Sequence, residues 1–504
     1  MSQVHSHFRV FKGIPYAAPP VAELRWKPPQ PVKPWSGVRQ ATEFGDACPQ
    51  PYFPGWKQPK TSEDCLRLNI WTPAKSARER LPVMVWIHGG AFNIGAGSNA
   101  IYDGESLARR GAVVVTFNYR LGVFGFLAHA ALTRESPRRS SGNYGLLDQI
   151  AALEWVRKNI SGFGGAPNRV TVFGESAGGS SVCLLLISPL ARGLFHRAIA
   201  QSAGVVYRPI RHRSETWYGR TPLEKLGESV GTDLAEMRAR TTEEIVRRAG
   251  AKPLNALFDT GSEYRPIVDG WVIPDDTGEL FESGRHANVP FIAGTNADEG
   301  TLFTALGSPL KSVAAYRDWA NTEFGTDRTR LLELYPAAID AELDPLAARI
   351  IADSRFLHGA RSVTRAMARK NPAYLYHFTR VNGIGRALKW GAFHASEIQY
   401  VFGNLAVPLF DDPATPLAAL VARPDIFDGT DRALSEQMSA AWVRFAATGN
   451  PNGAGLPVWP AYSAVTDQHL EWGDTPRAGA NLRKTELDFF EQAYTRMRAH
   501  RWGK

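Results

Sequence analysis

A serine in the first half of the chain lies between two glycines, at a spacing that constrains the backbone on both sides of it. The segment is Gly174-Glu175-Ser176-Ala177-Gly178, with one glycine two residues before the serine and one two residues after it. The apolar, β-rich residues 170–173 precede it, and residues 179–187 can continue as a helix. This order predicts a strand, a tight turn and a helix, with the serine hydroxyl exposed where the helix begins.

The flanking strand and helix carry this prediction, because the five-residue spacing alone is a weak signal. Glycine occupies 46 of the 504 positions, so the same spacing readily arises by chance. A helix at this place would put unsatisfied N–H groups and the positive end of a helix dipole beside Ser176. We therefore expect Ser176 to be a nucleophile rather than part of an ordinary glycine-rich turn.

Short apolar runs alternate with a helical pattern along the chain. Between two of these runs, apolar residues recur at helical spacing at Leu146, Ile150, Leu153, Val156 and Ile160. The strand candidates are residues 81–88, 111–118, 169–174, 197–201, 290–294 and 373–379. The alternation predicts an α/β fold, with a mostly parallel, doubly wound central sheet flanked by helices.

Two segments, at about 215–285 and about 305–370, are longer than a connection between parallel strands requires. They are expected to add helices above the carboxyl edge of the sheet, where folds of this class bind ligands. The chain has no internal repeat and no low-complexity tract. Residues 1–504 are therefore expected to form a single domain, in which the two insertions form the wall of a gorge.

Charge and cysteine content argue against several classes of function. The formal charge is +9, but the basic residues are spread along the chain and form only small clusters, at 208–213 and 496–501. No module for nucleic-acid binding accompanies them, so nucleic acid is not an expected partner. Three cysteines without metal-ligand spacing predict neither a metal nor another cofactor, and Cys183 lies in an apolar run that predicts burial.

The sequence predicts a protein without a membrane span. No stretch approaches the ~20 unbroken apolar residues that a membrane helix needs. Residues 1–22 lack the basic and then apolar order of a secretory signal, so the expected location is the cytoplasm, or the cell exterior if a leader precedes this sequence. The oligomeric state is left open.

A glycine-rich loop, His88-Gly89-Gly90-Ala91-Phe92, follows the first apolar run. When a serine attacks an ester carbonyl, negative charge develops on the carbonyl oxygen. Backbone N–H groups aimed at that oxygen commonly stabilise the transition state by roughly several kcal/mol. Ala177 supplies one such N–H directly after the serine, and the glycine-rich loop is expected to supply others.

Taken together, these residues resemble the type-B carboxylesterase and cholinesterase family, and bacterial para-nitrobenzyl esterases most closely. The similarity runs through most of the chain in specific segments. They are Phe11-Lys12-Gly13-Ile14-Pro15-Tyr16-Ala17, Ser62-Glu63-Asp64-Cys65-Leu66, residues 86–92, Asn118-Tyr119-Arg120-Leu121-Gly122, residues 142–149 and on to 179, Asp298-Glu299-Gly300, and residues 394–404 and 442–459. The resemblance implies the α/β-hydrolase fold and a small-molecule ester as substrate.

The resemblance also implies a catalytic triad, with Ser176 as nucleophile, Glu299 as acid and His394 as base. The order of serine, acid and histidine along the chain agrees with the general template of this fold. Oxyanion-hole N–H groups are implied at Gly90, Ala91 and Ala177. The implied activity is that of a serine carboxylesterase, which hydrolyses carboxylic esters through an acyl-enzyme intermediate.

Without the resemblance, the identity of the base and of the acid stays open. Five histidines lie beyond Glu299, at His358, His377, His394, His469 and His500. A loop begins just before His394, whereas His377 lies in a strand pattern. The resemblance, through the motif His394-Ala395-Ser396-Glu397, selects His394. Asp298 is an immediate rival of Glu299 for the acid.

Glu175 and Glu397 resemble acidic residues that lie near the triad in relatives. They either tune the charge on the histidine or form a buried structural network. Cys48 and Cys65 resemble a pair that can form a disulfide, depending on the compartment. The resemblance further implies a buried or half-buried salt bridge that ties this cysteine loop to the amino-terminal segment, formed by Arg25 and Glu63.

One departure from the family pattern concerns Arg120. Relatives carry an aspartate where this chain has Ala166, in Phe163-Gly164-Gly165-Ala166-Pro167. In those relatives the aspartate pairs with the arginine, so Arg120 has lost that partner here, and the sequence leaves open what replaces it.

Two other functions are compatible with this fold. A non-catalytic, adhesion-type homologue is disfavoured because the triad positions and the glycine-rich loop are intact, and an amidase or peptidase would use the same triad. Trp56, between Cys48 and Cys65, offers an aromatic ring for a quaternary ammonium group, although a packing role is favoured. Relatives with two small residues beside the oxyanion donor are associated with esters of tertiary alcohols.

Overall fold

The computed structural model describes residues 3–5, 8–204, 206–250, 264–307, 309–421, 423 and 426–501. Within these residues, eleven strands form one sheet. In chain order they are β1 (Gln3–His5), β2 (Phe8–Pro15), β3 (Arg67–Thr72), β4 (Leu81–Ile87), β5 (Val113–Phe117), β6 (Gly165–Glu175), β7 (Arg197–Gln201), β8 (Phe291–Asn296), β9 (Ala373–Phe378), β10 (Gln468–Trp472) and β11 (Arg477–Ala480).

Helices occupy most of the connections between the strands. They are α1 (Glu105–Arg109), α2 (Gly122–Phe126), α3 (Ala130–Glu135), α4 (Tyr144–Asn159), α5 (Ala177–Ile187), α6 (Leu223–Gly227), α7 (Leu234–Ala239), α8 (Thr242–Ala249), α9 (Thr277–Glu282), α10 (Thr301–Ala305), α11 (Val313–Phe324), α12 (Arg328–Leu334), α13 (Leu343–Ile351), α14 (His358–Ala368), α15 (Gly383–Leu388), α16 (Ile398–Phe402), α17 (Pro416–Val421), α18 (Gly429–Thr448) and α19 (Lys484–Ala499). Among the described helices, none combines the length and apolar character needed to cross a membrane.

The sheet is parallel at its centre and antiparallel at its edges. Its strand order is β1-β2-β3-β5-β4-β6-β7-β8-β9-β10-β11. Every neighbouring pair from β5 to β10 is parallel, whereas β1, β2, β3 and β11 add antiparallel pairs at the two ends. The six predicted strands correspond to β4 through β9. The predicted α/β fold with a mostly parallel sheet is therefore confirmed.

Both faces of the central strands are buried, which explains why the sequence shows continuous apolar runs there. Val83 and Val85 of β4 belong to the hydrophobic cluster that includes α4 and α5. Met84 and Trp86 point to the opposite face and pack with α16 and α18. The ring of Trp86, for example, meets Phe402 of α16 edge to face at 4.9 Å.

The two long connections contain helices, as predicted. Helices α6 to α9 lie between β7 and β8, and α10 to α14 lie between β8 and β9. Side chains of α10 to α13 share a hydrophobic cluster with Phe490 of the carboxyl-terminal helix α19. Residues 251–263 of the first connection lie outside the described residues.

Asp148 replaces the acidic partner that Arg120 has in relatives, which the sequence had left open. Its guanidinium donates two hydrogen bonds to Asp148 on α4, at 2.8 Å to Oδ2 and 2.7 Å to Oδ1. The backbone N–H of Arg120 also donates to Oδ2, at 3.0 Å. Both side chains are buried, so an arginine without a counter-charge would be costly there. Asp148 supplies the charge that Ala166 cannot.

The predicted salt bridge between Arg25 and Glu63 is confirmed. Two nitrogens of Arg25 contact the Glu63 carboxylate, at 2.9 and 2.5 Å, and both side chains are largely buried. The neighbouring Cys48 and Cys65 are joined by a disulfide and are also buried. The segment between these cysteines, called the disulfide loop below, is thus fastened at its base.

Candidate active site

Ser176 occupies a sharp turn that joins the end of β6 to the start of α5. Its φ of +57° is unfavourable for a residue with a Cβ atom. The flanking glycines leave room for this turn. A Cβ on Gly178 would lie 1.9 Å from the carbonyl oxygen of Ile87, and a Cβ on Gly174 would lie 2.6 Å from the same oxygen.

His394 lies between Ser176 and Glu299. Its Nε2 is 2.8 Å from the Oγ of Ser176, and its Nδ1 is 2.5 Å from the Oε2 of Glu299. Glu299 is fully buried and His394 is 5% exposed. The three residues follow the parallel strands β6, β8 and β9, so they meet at the carboxyl edge of the sheet.

Glu299, rather than Asp298, faces the imidazole. The second carboxylate oxygen of Glu299 accepts hydrogen bonds from Ser202 Oγ at 2.5 Å and from the backbone N–H of Asn296 at 2.8 Å. Asp298 instead accepts a hydrogen bond from the backbone N–H of Ala392 at 2.8 Å. Asp298 therefore holds the segment that leads to His394.

The other candidate histidines lie elsewhere. His358 contacts Glu491, while His377 on β9 and His469 on β10 have ring centroids 6.3 Å apart. His500 directly follows α19. Among the hydrogen bonds within the described chain, the one that the Ser176 hydroxyl makes is with Nε2 of His394.

Glu175 and Glu397 occupy different positions relative to His394. Glu175 Oε1 is 3.2 Å from Nε2 of His394, the same nitrogen that contacts the serine. Glu397 lies farther back, where its carboxylate accepts hydrogen bonds from Gln201 at 3.1 Å and Asn296 at 2.7 Å. Glu175 can thus act on the charge of the imidazole directly, whereas Glu397 belongs to a buried network.

The glycine-rich loop runs beside Ser176 with an unusual backbone. Gly90, Ala91 and Phe92 have φ angles of +98°, +53° and +63° in succession. A Cβ on Gly89 would lie 3.2 Å from the Cβ of Ser176. Among the backbone hydrogen bonds of the described residues, none is donated by the N–H groups of Gly90, Ala91 or Ala177. These groups remain available to an oxyanion.

Three side chains that contact the triad were not predicted from the sequence. Ser202 holds Glu299, and the rings of Phe303 and Phe356 lie 5.1 and 4.8 Å from the ring of His394. Ser202 directly follows β7, and its place at the carboxyl edge could have identified it. The two phenylalanines lie in the second long connection, where no local motif marks them.

A serine, a histidine and a carboxylate in contact at the carboxyl edge of such a sheet define a serine hydrolase of the α/β-hydrolase fold. The carboxylesterase family profile matches residues 1–490. The chain belongs to the carboxylesterase family, and it is a serine carboxylesterase, as the resemblance implied.

Curated relatives and solved structures agree with this assignment. The chain is 41% identical to fumonisin B1 esterase of Sphingopyxis macrogoltabida, over 91% of this chain and 82% of that protein. It is 37% identical to para-nitrobenzyl esterase of Bacillus subtilis, over 91% of this chain and 90% of that protein. A solved para-nitrobenzyl esterase superposes with a TM-score of 0.81 at 32% identity, covering 97% of each chain. The Geobacillus stearothermophilus carboxylesterase EST55 superposes with a TM-score of 0.78 at 34% identity, covering 97% of each chain.

Proposed function

We propose that Ser176, His394 and Glu299 are the catalytic triad of this carboxylesterase. The observation that carries the proposal is the unbroken chain of contacts from Ser176 Oγ through both imidazole nitrogens to a buried carboxylate, at 2.8 and 2.5 Å. Ser176 Oγ attacks the ester carbonyl carbon while its proton passes to Nε2 of His394. Glu299 fixes the imidazole tautomer and stabilises the imidazolium that forms.

The same imidazolium completes the reaction. It gives its proton to the leaving alkoxide, which departs as the alcohol and leaves the acyl group on Ser176. Water then attacks the acyl-enzyme, with His394 again as base, and releases the acid. The N–H groups of Gly90, Ala91 and Ala177 hold the negative oxygen of both tetrahedral intermediates.

We further propose that residues 1–504 act as one domain and that the insertions at about 215–285 and 305–370 form the gorge wall. The support comes from Phe356 of the second insertion and from Phe303, just before it, whose rings lie next to His394. Apolar rings at this place suit the acyl or alcohol group of an uncharged ester.

Para-nitrophenyl esters compared with the matching anilides test the reaction. We expect rapid hydrolysis of para-nitrophenyl acetate and butyrate and little hydrolysis of the para-nitroanilides. Fumonisin B1 belongs in the same panel, because one relative carries its name. Anilide hydrolysis at rates comparable with ester hydrolysis would favour an amidase or peptidase instead.

The glycine-rich loop predicts tolerance of bulky alcohols. Because Gly89, Gly90 and Ala91 leave mainly backbone beside the serine, a branched alcohol can fit where a larger side chain would exclude it. We expect measurable hydrolysis of tert-butyl acetate or linalyl acetate, slower than that of primary esters. Rapid cleavage of primary esters with none of the tertiary esters would contradict this steric prediction.

The rate should depend on pH through His394. Burial disfavours the imidazolium, but Glu175 and Glu299 outweigh this effect and raise the pKa of His394 from 6.5 to about 9. A general base must be neutral, so activity should rise with pH through a limb displaced above 6.5 toward 9. Glu175→Gln should move that limb to lower pH if the Glu175 carboxyl is ionised in the free enzyme, and leave it in place if burial, which raises the pKa of this carboxyl well above its ordinary value, keeps it protonated. A flat profile from about pH 5 to 9 would contradict the assignment of His394.

The compartment is also part of the proposal. The cytoplasmic location expected from residues 1–22 conflicts with the buried disulfide between Cys48 and Cys65, since cytoplasmic thiols are generally kept reduced. We favour an oxidising compartment. Thiol counting on the natively produced, denatured protein should then detect Cys183 as the one free thiol, whereas all three cysteines would react in a reduced protein.

A further inference from the structure

The oxyanion loop, residues 88–97, has a backbone that cannot be stable on local grounds alone. Positive φ angles follow one another at Gly90, Ala91 and Phe92, and Gly95 has a φ of +114°. Residues with a Cβ disfavour such angles, and these angles persist only when the surrounding structure holds the backbone in place. Within the loop, the N–H groups of Asn93 and Ile94 both donate to the carbonyl oxygen of Gly90, at 2.9 and 3.0 Å.

A side chain from the disulfide loop holds the far end of this turn. Gln50 Oε1 accepts a hydrogen bond from the backbone N–H of Gly95 at 2.8 Å, and its Nε2 donates to the carbonyl oxygen of Gly95 at 3.0 Å. One carboxamide therefore satisfies both backbone groups of a residue 45 positions away, as a neighbouring strand would. Its Nε2 also donates to the carbonyl oxygen of Cys48 at 3.1 Å, which fixes the side chain.

The backbone of Gly95 lies close against the start of the loop. A Cβ on Gly95 would lie 2.4 Å from Nδ1 of His88 and 3.0 Å from the carbonyl oxygen of Gly89. That carbonyl belongs to the peptide unit whose N–H is the Gly90 donor. There is no room for a side chain between Gly95 and this peptide, so a shift of Gly95 toward it would push on the peptide that carries the donor.

The disulfide loop provides a firm base for Gln50. Cys48, two residues earlier, is buried and bonded to Cys65, while the Arg25 and Glu63 salt bridge lies at the other end of the loop. The Gln50 backbone is therefore held independently of the oxyanion loop that its side chain contacts.

We propose that Gln50 is a positioning residue that keeps the oxyanion loop in its active conformation. It acts through Gly95 and does not touch the substrate. The inference rests on the proposed oxyanion hole at Gly90, Ala91 and Ala177. Donors that turn away from the developing oxyanion weaken binding of the transition state more than binding of the ester. Loss of Gln50 should therefore lower kcat with little change in KM.

The test compares Gln50→Ala and Gln50→Met with the wild type and with Tyr52→Phe. Methionine keeps the length of the side chain but neither hydrogen bond to Gly95. Tyr52 lies in the same disulfide loop, but its hydroxyl donates to Asp412 at 2.5 Å and not to the oxyanion loop, so its variant is the matched control. The measurements are kcat and KM for para-nitrophenyl butyrate and the inhibition constant of a trifluoromethyl ketone, whose serine adduct mimics the tetrahedral intermediate.

For both Gln50 variants we expect kcat to fall by about 10- to 100-fold, less than the 10²–10³-fold cost of removing a donor outright. The inhibition constant should rise by a similar factor, while KM changes by less than roughly threefold and Tyr52→Phe stays close to the wild type. Each rate is divided by the fraction of enzyme that a fluorophosphonate labels when the labelling reaction is complete. This correction removes the contribution of misfolded protein.

Three results would overturn the role of Gln50. The first is wild-type kcat and wild-type inhibitor affinity in both variants. The second is a loss of kcat without a loss of inhibitor affinity. The third is wild-type kcat in Gln50→Met, which would show that the side chain acts by packing and not by hydrogen bonding. A wild-type enzyme that is neither labelled at Ser176 nor active on esters would instead refute the proposed catalytic site itself.

Discussion

Ser176→Ala is expected to keep its fold and to lose ester hydrolysis by roughly 10⁵-fold or more, since triad members act as a unit. The hydroxyl is the atom that would form the acyl-enzyme, and without it His394 has no proton to remove. Among the described contacts, the Oγ makes one hydrogen bond, to His394 at 2.8 Å, so its loss should cost little stability. The backbone turn is no more strained with alanine than with serine, because both carry a Cβ.

Steady-state hydrolysis of para-nitrophenyl butyrate measures the loss, and a thermal melt checks the fold. Ser181→Ala is the matched control on the same helix. Ser181 is buried and accepts a hydrogen bond from Gln149 at 3.0 Å, but it does not contact the triad. Its variant should turn over esters at nearly the wild-type rate. More than a tenth of the activity remaining in Ser176→Ala would exclude Ser176 as the nucleophile.

The central sheet could be predicted because its signals are local. Strands buried on both faces lack a polar face, so β4 and β5 appear in the sequence as short, mainly apolar runs. The turn at Ser176 is marked equally well, because only glycine leaves room beside the carbonyl oxygen of Ile87 at Gly174 and Gly178. These features depend on residues within a few positions of one another.

Contacts between distant segments were harder to predict. The partner of Arg120 is Asp148, 28 positions away on a helix, and no spacing rule joins a loop arginine to a helical aspartate. The loss of the usual partner at Ala166 could be predicted, but its replacement could not, because a family pattern describes only one way of neutralising the arginine. Phe303 and Phe356 reach His394 only through the packing of the second insertion, which the sequence predicts as helical without fixing its path.

The choice between the adjacent acids Asp298 and Glu299 also depends on contacts with distant segments. Asp298 and Glu299 are equally good acids by residue type, and a one-residue difference turns a side chain toward or away from the imidazole. The decisive contacts come from other segments, since Ser202 holds Glu299 and Ala392 holds Asp298. The sequence could narrow the choice to two residues, and the fold distinguishes them.

Glu299→Gln is expected to lower turnover by roughly 10⁴-fold while the protein stays folded, because an amide at this position selects the wrong histidine tautomer. Glu299 Oε1 accepts from two donors, Ser202 Oγ and the N–H of Asn296, at 2.5 and 2.8 Å. The carbonyl oxygen of the introduced carboxamide must take that place, so its NH₂ group faces Nδ1 of His394.

An NH₂ group donates to Nδ1, which leaves the imidazole proton on Nε2, where it blocks acceptance of the serine proton. The matched control is Asp298→Asn, whose side-chain oxygen can still accept from the N–H of Ala392. We expect this control to keep kcat within a few-fold of the wild type, and Glu299→Gln to lose kcat with little change in KM. Equal losses in the two variants would mean that the charge of the Asp298 and Glu299 segment, and not the proton position on His394, supports catalysis.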